Sequence, residues 1–211
     1  MGLLCEIDSA EISTHVFTRI LNFEQCLAGD WPKSLFVSMM WYITENYPIE
    51  LNALTILDDH VHMIFTTPND DQILPEAMKV AKSMFTRHYN KTIRRIGPLW
   101  NNRYGRKYFE QSKNPDLYAL ISLWYCAYNP VRKGYVSKPG MYEYDTINHY
   151  IIPDYQGILP VTRHKTYMDL HEDENERISE FLKYEEKFKN TLLLKSRILD
   201  CQFDINPKLT L

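Results

Sequence analysis

Cysteine is scarce: only Cys5, Cys26, Cys126 and Cys201 occur, and no two of them form a CxxC pair. That spacing argues against a thiolate zinc cluster or a disulfide framework and for a reducing, cytoplasmic setting. Long apolar runs are missing too; each is broken within about ten residues, well short of the ~20 needed to span a bilayer. The first residues, Met1-Gly-Leu-Leu-Cys-Glu-Ile-Asp8, lack the basic and apolar regions of a secretory signal, and Glu6 stands where myristoylation needs Ser or Thr. There is no internal repeat and no low-complexity segment. With 45% hydrophobic and 24% charged residues in 211, the composition is that of an ordinary soluble protein, one domain with a real core or one domain plus a tail.

A surplus of positive charge is also absent, since the net charge is −3. The average hides a segregation. Between Lys79 and Lys138 thirteen Lys and Arg face only Glu110 and Asp116, a local +11, while the remainder carries −14. A concentrated basic segment interleaved with aromatics is the footprint of a phosphate-binding surface; a solvated basic helix offset by an acidic neighbour is the alternative.

The periodicity predicts a strand over residues 11–22, then a helix from Trp31-Pro32, with Asp30 as its cap and Leu35, Met39, Tyr42 and Ile43 as its stripe, stopping before Pro48. Strands follow at Ile49–Leu57 and His60–Thr67, joined by the tight Asp58-Asp59 connection. After the polar loop at 68–71, residues 72–96 read as a long basic helix whose stripe runs through Ala77, Val80, Ala81, Met84 and Phe85, stopped by Gly97-Pro98. An extended segment at Leu99–Glu110 precedes a helix from Leu117 to about Asn129, ended or kinked at Pro130. The order β-α-β-β-α-β-α predicts an α+β fold: a ferredoxin-like split βαβ sandwich with a four-stranded antiparallel sheet and two helices on one face. Residues 1–138 form the expected core domain. Residues 139–211, studded with tyrosines and ending in an acidic helix at about 173–195 through Ile178, Phe181, Leu182 and Phe188, form a mainly helical extension packing on it.

His60 and His62 lie one residue apart in the third strand, so both imidazoles point to one face while Val61 and Met63 point to the other. Two converging imidazoles make half of a divalent-metal site, though His-apolar-His pairs are also common in strands for structural reasons. Tyr125 and Asn129 share a face of the last core helix, one turn apart. A tyrosine hydroxyl is a nucleophile when the phosphorus it attacks is polarised, and a cation held by His60, His62 and Asn129 would supply that polarisation. A core tyrosine with a capping Asn before a proline is the other reading of this helix.

The His60-Val61-His62 strand, the Leu99-Trp100-Asn-Asn-Arg103-Tyr104 segment and the Tyr125-x-x-x-Asn129-Pro-Val-Arg-Lys-Gly134 helix, in this order, resemble the single-tyrosine HUH transposases, above all the REP-associated tyrosine transposase branch. The resemblance covers about residues 10–150, and the His164-Lys-Thr-Tyr167 stretch also looks like that of longer members. It implies a transposase that cuts single-stranded or hairpin DNA with Mg²⁺ or Mn²⁺, forms a 5′-phosphotyrosine and rejoins DNA without ATP, as a monomer or homodimer and with no membrane partner. Carried over by residue, it makes Tyr125 the nucleophile and His60, His62 and Asn129 the metal ligands. Asp58-Asp59 departs from the usual Pro-polar pair before the histidines and reads as a harmless turn variant, with added charge near the metal as the alternative. Tyr104, Tyr108, Tyr118 and Tyr128 compete with Tyr125, but none has an amide ligand four residues later. His15 reads as a strand histidine in a polar patch or as a partner of the pair, and His88, His149, His164 and His171 as surface residues. Arg87, Lys91, Arg94, Arg95, Trp100, Arg103 and Tyr104 are the expected DNA contacts, with a core anchor as the second reading of Trp100. The rival function is a non-catalytic nucleic-acid-binding module on the same scaffold, and a third is metal-dependent RNA processing.

Overall fold

The computed structural model of the protein describes residues 11–68, 72–101, 103–158 and 161–198. Cys5, Cys201, the tip of the loop after Pro68 and Asn102 lie outside the described residues.

Four strands, β1 (Ile12–Arg19), β2 (Glu50–Ile56), β3 (His60–Thr67) and β4 (Gly105–Tyr108), form one antiparallel sheet in the order β2-β3-β1-β4. The predicted central position of the third strand holds: β3 lies between β2 and β1. Alternation divides the sheet's side chains. Val16, Leu51, Leu54, Ile56, Val61, Met63 and Phe65 pack beneath α1 (Asp30–Asn46) and α2 (Ile73–Ile93). Ala53 and Ile64 pack beneath α3 (Pro115–Arg132) on the opposite face. The result is three layers, with the two early helices on one face as predicted.

Local chemistry adjusts the ends. Gly29, at φ +83°, occupies the N-cap of α1, and the Asp30 carboxylate instead accepts a hydrogen bond from Tyr144 Oη at 3.1 Å. On α1 the buried face includes Phe36, Val37 and Met40, while Tyr42 from the predicted stripe is exposed. Helix α2 stops three residues before Gly97, because Arg94 adopts a left-handed conformation and the chain reverses there. Asn114 Oδ1 accepts from Leu117 N–H at 3.0 Å, and Pro115 follows at the first turn, so α3 begins two residues earlier than predicted. It also continues through Pro130 to Arg132.

The extended segment at Leu99–Glu110 is interrupted. Leu99 and Trp100 are both buried, but Trp100 meets Ile20 only as an isolated bridge outside the regular ladder. Residues 99–101 pair with the end of β1 and the residues after it; the chain then leaves the sheet and returns at Gly105.

The extension is fastened to the open edge of β2. Ile56 N–H donates to Tyr144 O at 3.0 Å, Thr146 N–H to Leu54 O at 3.1 Å, and Thr162 N–H to Leu51 O at 3.1 Å. These bonds satisfy edge groups that would otherwise template further pairing. Two short helices, α4 (Asn148–Ile151) and α5 (Lys165–Met168), lead to α6 (Glu174–Ile198), which packs on α3 through a stacked Trp124–Phe181 pair at 4.9 Å. Leu182, included in the predicted stripe of α6, is exposed. His149 and His164, read as surface residues, are buried: the His149 carbonyl accepts from Arg163, and His164 Nε2 lies 2.9 Å from Ser13 Oγ. Sequence periodicity is silent on irregular segments, so these burials were not visible in it.

Candidate active site

The β pleat places His60 and His62 on the α3 face of β3, both 5% exposed, with ring centroids 5.1 Å apart. His15 on β1 joins them. It is the diagonal neighbour of His62 across the β1–β3 pair, and its Nε2 lies 3.2 Å from His62 Nδ1. The half-buried Tyr125 ring from α3 stands edge-on to both, 5.3 Å from His62 and 5.5 Å from His15. Phe17 lies beside His15 and His62 at 6.4 and 6.3 Å, and it fits there because Gly105 opposite has no side chain.

Asn129 and Arg132 continue the Tyr125 face of α3 at i+4 and i+7. The Asn129 Nδ2 donates to the Tyr125 carbonyl at 2.8 Å, which leaves its Oδ1 as an acceptor. Burial pushes the Tyr125 phenol up to about 12, while the Arg132 charge and hydrogen bonds with Asn129 and Arg132 pull the other way. The tyrosine is therefore a neutral phenol at neutral pH and needs its proton removed to act as a strong nucleophile. Burial, then the neighbouring His15 and His60, hold His62 well below the usual imidazole range; burial and then Lys107 lower His15 to about 4. Both rings are neutral at pH 7, the form that offers a lone pair.

Asp59 is more than a turn residue. Its Oδ1 lies 2.6 Å from His60 Nδ1, and Arg19 Nε sits 4.0 Å from its other oxygen. Asp58 is also engaged, pairing with the buried Lys33 at 2.7 Å. The expectation of a harmless variant gives way to two carboxylates with separate partners. A sequence signal existed, a carboxylate directly before a histidine, but only the turn geometry shows which Asp reaches the ring.

The donor set suits a divalent cation. His60 and His62 each have Nδ1 engaged, leaving Nε2 as the remaining donor, and Asn129 offers an amide oxygen on the same side of the sheet.

The competing tyrosines go elsewhere. Tyr128 Oη donates to Glu185 on α6, and its ring packs on Phe188 at 5.1 Å. Tyr118 packs on Phe109 at 5.1 Å, with Lys107 Nζ over its ring at 4.5 Å. Tyr104 lines a groove on the far face of the sheet, and Tyr108 lies beside Arg106.

The expected DNA contacts divide. Arg87, Lys91, Arg94 and Arg103 are exposed, and Tyr104 is half-buried. Trp100 is the core anchor: 5% exposed, it packs on Phe36 at 5.8 Å and Phe85 at 5.4 Å, so as placed it offers no face to a base. Arg95 is occupied as well, donating to the carbonyls of Gly97 and Pro98 and pairing with Glu24 at 3.5 Å. Lys79, Lys82 and Arg106, which were not singled out in the sequence, join Arg103 and Tyr104 around an open groove of about 550 Å³ between α2 and β4. The spacing of Lys79 and Lys82 on one helix face was a legible signal; their meeting with Arg106 was not.

Comparison with known proteins bears on the family and the fold. A model of the family described as "Transposase IS200 like" matches residues 9–119, a span that includes His15, His60 and His62 and ends before Tyr125. A Haemophilus influenzae protein named as a REP-associated tyrosine transposase is 31% identical over 101 residues, 44% of this chain and 55% of that protein, so the match spans about half the relative's length. A solved REP-associated tyrosine transposase, bound to a REP hairpin, superposes with a TM-score of 0.57 at 19% identity, over 74% of this chain and 90% of that one; this likeness bears on the fold. With more than half of its residues under the family model, on the sheet that carries the paired histidines, the chain belongs to the IS200-like transposase family.

Proposed function

We propose that this protein is a metal-dependent endonuclease and strand transferase acting on single-stranded or hairpin DNA, with Tyr125 as nucleophile and His60, His62 and Asn129 as ligands of Mg²⁺ or Mn²⁺. The observation that carries the reading is the Tyr125 ring set against His62 and His15, with Asn129 one turn further along the same helix face. The proposed catalytic unit is residues 1–138, and residues 139–211 are the extension, whose α6 packs on α3 through Phe181 and Trp124.

A bound divalent cation would withdraw charge from a non-bridging phosphate oxygen. The protein's own residues do the rest. Tyr125 Oη attacks the scissile phosphorus, losing its proton; the bond from phosphorus to the 3′ oxygen breaks, and that oxygen leaves as a 3′-hydroxyl after taking up a proton. The product is a phosphodiester between Tyr125 and the 5′ side of the DNA. Because one phosphate ester replaces another, attack by a 3′-hydroxyl reverses the step without ATP. Arg132, whose charge bears on both Tyr125 and His62, favours the phenolate. Exposed Arg87, Lys91, Arg94 and Arg103, with Tyr104 and the groove cations Lys79, Lys82 and Arg106, would neutralise phosphates of the bound strand.

Covalent trapping tests the proposal. Labelled hairpin and single-stranded oligonucleotides with Mg²⁺ or Mn²⁺ should yield an SDS-resistant adduct, lost in Tyr125→Phe and in EDTA but kept in Tyr128→Phe. Salt-sensitive DNA binding with no adduct across a broad library would make the protein a binding module instead.

A further inference from the structure

We propose that His15 and Asp59 are positioning residues that set which nitrogen of His62 and of His60 faces a bound divalent cation. The inference rests on the metal reading above and assigns roles to two side chains outside the ligand set.

Each histidine of the pair has its Nδ1 held by a different part of the chain. Asp59, in the connection between β2 and β3, holds His60 Nδ1 at 2.6 Å. His15, from the neighbouring strand, holds His62 Nδ1 at 3.2 Å. An ionised carboxylate only accepts hydrogen bonds, so the proton of a neutral His60 is on Nδ1 and the lone pair is on Nε2. The ring is then locked as a ligand before any cation arrives.

The other pair is different in kind, because two neutral imidazoles can share one hydrogen bond in either direction. If His15 Nε2–H donates, His62 carries its proton on Nε2 and has no lone pair for a cation. If His62 Nδ1–H donates, His15 Nε2 accepts, His15 keeps its proton on Nδ1, and His62 Nε2 is free. Ligation at His62 therefore requires the second arrangement, and His15 is the acceptor that makes it available. His15 is no substitute ligand through Nε2, because that nitrogen is committed to His62. Its position is set by register: Phe17 stands opposite His62 and His15 opposite Ile64, so the ring reaches His62 diagonally. Backbone pairing, rather than a flexible loop, holds the acceptor in place.

The test separates an acceptor from a packing ring. Mn²⁺ affinity of the full chain, read by EPR without DNA, is compared with imidazole ¹⁵N spectra that report the His62 tautomer. His15→Phe keeps an aromatic ring beside Tyr125 and removes the acceptor; His15→Gln removes the ring and keeps an acceptor oxygen. We expect His15→Phe to weaken Mn²⁺ binding about 10- to 100-fold, the usual effect of losing such a partner, and to move the His62 proton off Nδ1. His15→Gln should recover most of the affinity. Asp59→Leu should weaken binding over the same range, with Asp59→Asn, which keeps an acceptor, intermediate. Wild-type affinity in folded His15→Phe, or equal losses in Phe and Gln variants, would overturn the role of His15. Wild-type affinity in Asp59→Leu would overturn that of Asp59. Binding that survives His62→Ala, or no binding by the wild-type chain, would overturn the ligand set itself, an outcome these controls distinguish from a failure of the positioning pair.

Discussion

A glycine and a phenylalanine fix the wall of the site. A Cβ built on Gly105 would lie 1.9–2.5 Å from Phe17 ring carbons, so any side chain there must displace the ring that packs beside His15 and His62. Gly105→Ala should cost about 1–3 kcal/mol in urea unfolding, as overpacking generally does, and lower the yield of covalent adduct more than that loss of stability explains. An alanine with wild-type stability and activity would show that Phe17 can rotate away freely. Tyr125 illustrates what single residues reveal and conceal. Its i, i+4 relation to Asn129 was readable from spacing and was the ground for preferring it to Tyr128, whereas which helix face meets the sheet was not readable. Tyr128 turns to Glu185 and Phe188 on α6, and that contact spans 57 residues or more of sequence.

At the scale of elements, α2 and the segment before β4 carry two kinds of residue that look alike in sequence. Trp100 sits among basic residues but packs with Phe36 and Phe85 beneath the sheet. Trp100→Ala should therefore destabilise the protein by about 3–5 kcal/mol, the range for emptying a large aromatic site, measured by denaturant unfolding. Unchanged stability with lost DNA binding would return Trp100 to the interface. Lys79 and Arg106 are placed oppositely, on the open groove. Lys79→Glu and Arg106→Glu should leave the unfolding midpoint within about 0.5 kcal/mol of wild type, as surface changes do. Each should also weaken DNA binding and flatten its dependence on log salt by at least ~1 if the residue neutralises a phosphate. An unchanged salt slope would remove the groove from the DNA path. Aromatic-basic interleaving identified this region; burial sorted its members, because neighbours in sequence here face opposite environments.

Across the whole molecule, buried titratable groups set the response to acid. His15 and His164 are lowered to about 4, chiefly by burial, against an ordinary value of 6.5. A group depressed on folding contributes stability that is complete above pH 6.5 and is lost as pH falls toward 4, each by about 3 kcal/mol at most. His62 acts in the same direction. Asp145, buried and raised to about 6 despite hydrogen bonds from Thr55 and Ile147, acts with the opposite sign: its burial costs stability above pH 6, and protonation relieves that cost as pH falls toward 4. His149 is lowered as well and the exposed Glu50 is raised, so four depressed histidines oppose two raised carboxylates and unfolding free energy should fall between pH 6.5 and 4. His164→Gln should flatten that fall and Asp145→Asn should steepen it, both read from urea unfolding at fixed pH steps. A pH-independent midpoint over this range would contradict the sign.

The sequence by itself determined the strand that presents His60 and His62, the helix face shared by Tyr125 and Asn129, and the βαββαβ order. Each of these follows from a local period, two for strands and 3.6 for helices, that survives without knowledge of any partner. Only the tertiary structure decided that His15 meets His62, that Asp59 rather than Asp58 holds His60, that Trp100 is core, and that His164 is buried against Ser13. Those outcomes depend on strand register, turn geometry and the seating of the extension on β2, contacts between segments up to 151 residues apart. No local pattern encodes them, because the same histidine or tryptophan satisfies its own strand or loop equally well on either side of the sheet.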